Sequence, residues 1–216
     1  MTEFEKPQRH RIEYFDLLKG IAIFLVVMGH VITMCIRGLD AAFIFKLIEQ
    51  VHMPIFFFIS GYFTYKASAE RTFITPGLKK RFLQLVVPFL VITPMWVCYF
   101  PHSKLLSPLS DNLPDLYRSV WKDGYWFTLC LFEMCALYMP LSLMLQRIKS
   151  VVGKVAVLIA AYGVLISLMV CFADVPGNVD YAGLSLLARF FPAFAIGVMA
   201  HHLHQGYQAL LHRSGT

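Results

Sequence analysis

Lys19 and His30 stand eleven positions apart inside the apolar run LLKGIAIFLVVMGHVI, residues 17–32. At ~3.6 residues per turn, eleven residues complete about three turns, so a helix places both on one stripe. Asp16 falls on nearly the same stripe, one turn before Lys19. At ~1.5 Å per residue, His30 lies ~16 Å beyond Lys19, near or past the middle of a ~30 Å hydrocarbon layer. An imidazole at that depth can stay neutral and accept a proton, which is general-base chemistry. The shallower Lys19 ammonium suits the phosphates of a donor. A structural alternative stands beside this one: Lys19 snorkels to the headgroups, and His30 hydrogen-bonds a neighbouring helix. Spacing alone does not separate the two.

Other polar residues sit where lipid would not tolerate them without a partner or a function. In QVHMPIFFFISGYF, His52 lies near one membrane boundary, followed by Pro54, a run of aromatics and the pair Ser60-Gly61. Proline and glycine there are expected either to break the helix and free carbonyls to line a cavity, or to kink a packing helix. The basic cluster Lys79-Lys80-Arg81 opens the next apolar segment, where such clusters either meet anionic lipid or bind phosphate. Glu133 and Arg189 are the acid and the arginine deepest in apolar segments, and they suit either an ion pair or a polar pathway. His201, His202 and His204 form a weak metal pattern, and a solvated helix end explains them more simply. No metal is expected.

These residues need helices to carry them, and the composition supplies little else. Apolar residues make up 58% of the 216, and charged residues 15%, well below the ~25% of a soluble domain. The chain reads as an all-α polytopic membrane protein with about six spans, near residues 16–36, 48–66, 82–101, 125–146, 154–173 and 183–203. Pro88, Pro94 and Pro101 are expected to bend or end the third, and 102–124 is the longest loop. The five cysteines are scattered through apolar segments and resemble small hydrophobes, not a disulfide frame. Lys6, Arg9 and Arg11 precede a run too long for a signal peptide and without a small-residue cleavage site, so the first span is expected to stay.

Lysine and arginine set the orientation. Lys6, Arg9, Arg11, Lys66, Arg71, Lys79, Lys80, Arg81, Arg147, Lys149, Lys154 and Arg213 fall on one side. Arg37, Lys46, Lys104, Arg118 and Lys122 fall on the other. That bias places both termini in the cytoplasm, with residues 1–15 as a tail, in a multi-pass protein of the cytoplasmic (inner) membrane. The net charge of +6 is therefore topological and not a nucleic-acid signal.

YFDLLKGIAIFLVVMGHVI followed by VHMPIFFFISGYF resembles the opening of the membrane-bound acyltransferase-3 family. GYWFTLCLF resembles its tryptophan-phenylalanine motif, and the likeness covers about residues 11–200. The family carries a basic residue, ten residues, then an essential histidine, here Lys19 and His30, with an aspartate before them, here Asp16. The resemblance implies transfer of an acyl group, usually acetyl from acetyl-CoA, to a carbohydrate hydroxyl. His30 would be base or relay, with Lys19 and Asp16 completing the charged site. Arg81, Lys80, His52, Ser60, Trp126, Glu133 and Arg189 would serve substrate binding. The family's Arg-x-x-Arg pair differs here, since Arg81 is followed by Gln84. Family members usually have about ten spans, so residues 1–216 resemble the first part of a longer domain. A fragment, a shortened member, and a protein closed by a second copy all fit that length. An inactive family member or a transporter-like protein is the alternative function.

Overall fold

The computed structural model describes residues 13–35, 43–67, 74–92, 126–173 and 183–214. Among these residues there is no strand; the chain is all-α. The helices are α1 (Glu13–Cys35), α2 (Phe43–Ala67), α3 (residues 74–92), α4 (Trp126–Arg147), α5 (Val151–Ala173) and α6 (Leu184–Ser214). Four contain stretches long and apolar enough to cross a membrane: Tyr14–Ile32, Trp126–Arg147, Val151–Phe172 and Leu184–His204. The protein is a helical membrane protein.

The boundaries differ from expectation where polarity, not helix-breaking chemistry, marked an edge. α2 starts five residues before the expected 48, because Phe-Ile-Phe-Lys-Leu-Ile-Glu-Gln contains nothing that stops a helix before Pro54. α3 starts at Ile74 and not at 82, with Pro76 in its first turn, where a missing N–H costs nothing. α6 continues past 203 to Ser214, since residues 204–214 contain no proline to stop it. Of the three prolines expected to distort the third span, Pro88 lies in α3 just beyond a π-turn, Phe82–Val86. Val87 N–H donates to the Phe82 carbonyl there, so one widened turn absorbs the register disturbance before the proline. Pro94, Pro101 and the expected loop 102–124 lie outside the described residues.

α2 is the hub, packing on α1, α4 and most closely on α6. The α2–α6 crossing rests on two reciprocal glycines. A Cβ on Gly61 would collide with the backbone carbonyl of Phe194, and one on Gly197 with that of Phe58. Lipid tails are as apolar as leucine, so close backbone approach and side-chain packing hold such helices together. Phe57, Met134, Cys135, Phe191, Phe194 and Val198 fill the core where α2, α4 and α6 meet. A smaller cluster of Phe15, Ile59 and Tyr62 seals α1 to α2. α4 and α5 are tied antiparallel by a three-residue turn, in which Ser150 caps α5 by accepting the Gly153 N–H, 3.4 Å.

Of the two uses expected for Pro54 and Ser60-Gly61, a broken helix and a packing helix, the second holds: α2 is one continuous helix through Pro54 and Gly61. Gly61 admits a neighbouring helix, and the Ser60 carbonyl accepts the Thr64 hydroxyl at 2.6 Å.

Candidate functional site

The polar residues of α1, α2 and α3 assemble at two depths along α2. At the lower level, Lys19 Nζ lies 3.7 Å from Asp16 Oδ1 and 4.8 Å from the centre of the Phe63 ring. The carboxylate partly balances the ammonium, and the aromatic face holds it by cation–π attraction. On the adjacent α2 residue, Thr64 Oγ1 accepts from Arg81 Nη2 at 3.0 Å. Arg81 Nη1 donates to Cys135 Sγ at 2.9 Å. Consecutive helical residues diverge by ~100°, so Lys19 and Arg81 reach the same turn of α2 from two sides.

Arg81 is the member of the basic cluster that turns into the bundle; Lys79 and Lys80 are exposed. A guanidinium has five N–H donors in a fixed fork, and the two neutral partners use two of them without cancelling its charge. Its position directly before the π-turn aims it at α4, where Phe82 packs edge-on against Phe132 at 5.7 Å. Thr64 and Cys135 were not singled out from sequence. Cys135 passed as a small hydrophobe, and nothing in YFTYK distinguishes Thr64. The signal that pairs them is depth: both are small polar groups on helices flanking the one arginine, among the described residues, that turns inward.

The upper level carries two histidines. α1 and α2 run antiparallel, and Gly29 lies beside Ile48, to whose Cγ2 a Cβ at Gly29 would stand 3.7 Å. His30 therefore sits at the height of the Ile48–His52 turn. His52 is buried, and its Nδ1–H donates to the Ile48 carbonyl at 2.5 Å. A carbonyl can only accept, so the bond requires a proton on Nδ1 and turns Nε2 away from the α2 backbone. His30 is exposed on α1. From His52 to Thr64 is twelve residues, ~18 Å, matching the ~16 Å from His30 to Lys19. Two histidines stand above two cations at one spacing.

The remaining predicted residues lie elsewhere. Trp126 stacks on Phe190 at 5.6 Å and 16°, and Phe190 stacks in turn on Phe57 at 4.8 Å, which makes Trp126 the top of an aromatic column. Arg189 is exposed, with its guanidinium 5.5 Å from the centre of the Phe190 ring. Glu133 is half-buried on α4, two residues before Cys135. Of the three histidines expected at a solvated helix end, His204 is exposed but His201 and His202 are covered. His201 is buried edge-on to Tyr62 at 4.6 Å, and Lys154, itself 8% exposed, donates from Nζ to His202 Nε2 at 2.9 Å.

Fold and site together define a helical membrane protein with a histidine level and a cation level ranked along its first helix pair. The chain belongs to the acyltransferase-3 family: that family's model, an acyltransferase domain, matches residues 12–214. It is 30% identical over 190 residues to nodulation protein NolL of Mesorhizobium japonicum, covering 86% of this chain and 46% of that protein. A second NolL, from Sinorhizobium fredii, is 30% identical over 195 residues, covering 86% and 47%. The chain spans about half the length of the curated relatives it matches. No solved structure gives a significant match.

Proposed function

We propose that the protein is an integral-membrane O-acyltransferase that moves an acyl group, acetyl in the simplest case, from acyl-CoA to a carbohydrate hydroxyl. The observation that carries this reading is the two-level array. Arg81 and Lys19 are cations at the level nearest the basic side of the bundle, and the histidines stand ~16 Å further in. An acyl-CoA has the same layout, with phosphates at one end and a thioester at the end of a long flexible arm. Arg81, with donors left over after Thr64 and Cys135, is suited to the phosphates. Lys19 adds charge beside it.

At the upper level, His30 takes the proton from the acceptor hydroxyl as its oxygen attacks the thioester carbonyl. A C–O bond forms, the C–S bond breaks, and the proton passes to the departing thiolate. General-base assistance of this kind contributes typically ~10²–10⁴-fold. By the bias of basic residues, both termini and the cation level face the cytoplasm, where acyl-CoA is made, and the membrane is the cytoplasmic one. The test is transfer itself: purified protein in vesicles, with acyl-labelled CoA and a panel of glycan acceptors. Label covalently bound to a glycan is the expected result. Glycan moved across the vesicle wall without modification would instead favour a transporter.

A further inference from the structure

The outer wall of the bundle holds a cavity that the two-level site does not use. It lies between α5 and α6, with a volume of about 470 Å³, inside the ~300–1,000 Å³ range of ligand pockets. Leu158, Tyr162, Phe191, Ala195, Met199 and Leu203 are among its walls, and the lining is apolar almost throughout. On α6 the lining runs from Phe191 to Leu203, ~18 Å along the axis, so the cavity is a groove parallel to the helices. Ile159, Ile196 and Leu203 on its rim are exposed, so it opens outward and not toward the core.

One end of this groove is basic. Val155 and Leu203 line it beside Lys154 and His202, whose side chains meet at 2.9 Å. Arg147 and Lys149 stand exposed just before α5 begins. Neither α5 nor α6 contains a single aspartate or glutamate along its whole length. An apolar channel along the membrane normal has the form of a lipid: tail in the groove, anionic head at the end where Lys154 follows Arg147 and Lys149, while Arg189 at the other end is turned onto the Phe190 ring. Sugars and peptides find no polar partners on such walls. Basic pockets between membrane helices are attractive to anionic headgroups.

We propose that the α5–α6 groove binds an anionic phospholipid, with one acyl tail along Phe191–Leu203 and its phosphate at the Lys154–His202 end. The probe is phosphatidylglycerol against phosphatidylcholine, offered in equal amounts to the full chain in micelles and counted by native mass spectrometry. The wild type should retain phosphatidylglycerol about fivefold over phosphatidylcholine, the preference expected of one basic residue at a headgroup. Lys154→Gln should erase the preference while lipid is still retained. Ala195→Trp, which fills the groove, should remove both lipids, with circular dichroism checking that its helices persist. Equal retention of the two lipids by the wild type overturns the proposal and needs no variant to be folded. So does phosphatidylglycerol retention unchanged by Ala195→Trp, or an Ile196→Cys disulfide between copies showing that a second chain fills the groove.

Discussion

The two halves of the bundle are built differently. Where α2 meets α4 and α6, large aromatics lie at or near zero exposure and two glycines bring helix backbones into contact. The membrane stretches of α4 and α6 are each 44% buried, against 22% for that of α1. Yet α1 carries Lys19 and His30, and it is fastened to α2 along one narrow seam, with Phe15, Ala22, Gly29 and Ile32 buried and most of its other residues exposed or half-buried. The tightly packed half fixes the position of α2, and α2 then serves as the rule against which the chemistry on α1 and α3 is placed. The difference teaches that scaffold and site share one helix: Arg81 reaches Thr64 and Cys135 on the packed side of α2, and Lys19 and His30 stand on α1, along its looser side.

Substitutions at the α2–α6 crossing should have the largest effect. Gly61→Leu drives a side chain into the Phe194 carbonyl, which no rotamer avoids, and should cost more than ~3 kcal/mol. The expected outcome is loss of a cooperative thermal transition in detergent, and a wild-type melt would show that the helices do not cross there.

On the site half, effects should fall on kinetics and spare stability. Arg81→Lys keeps the charge but loses the fork that reaches Thr64 and Cys135 together. The KM for acyl-CoA should rise about tenfold with kcat within about twofold, a loss of ground-state binding. A larger change in kcat than in KM would place Arg81 at the reacting atoms instead. Thr64→Val removes one acceptor from Arg81 without changing shape and should raise the same KM about threefold, in line with one hydrogen bond. Smallest of all, Phe24→Ala on the outward face of α1 should shift stability by less than ~0.5 kcal/mol, measured by the same melt. A large shift there would mean that α1 is packed against more than α2.

How far the sequence carries this picture depends on the kind of signal. The Lys19–His30 stripe needed only helical periodicity and an apolar background, and α1 delivers it. Helix existence was equally readable, because apolar runs of span length leave few alternatives. Gly61 was harder: the same glycine marks a broken helix or a close crossing, and only the presence of Gly197 opposite decides. The grip on Arg81 could not be read at all. Threonine and cysteine sit comfortably in apolar helices, so Thr64 and Cys135 reveal their role only when three helices are placed around them. His201 and His202 misled for a related reason, since a polar helix end reads as solvated until a neighbouring helix covers it.

His30 is the residue on which the functional reading turns. The direct measurement is kcat for acyl transfer by purified His30→Ala protein beside wild type, with thermal melts of both. A two-level site predicts a fall of at least ~100-fold, the loss of a general base, with an unchanged melt, because the side chain of His30 is exposed. Turnover equal to wild type in a folded His30→Ala protein would contradict it.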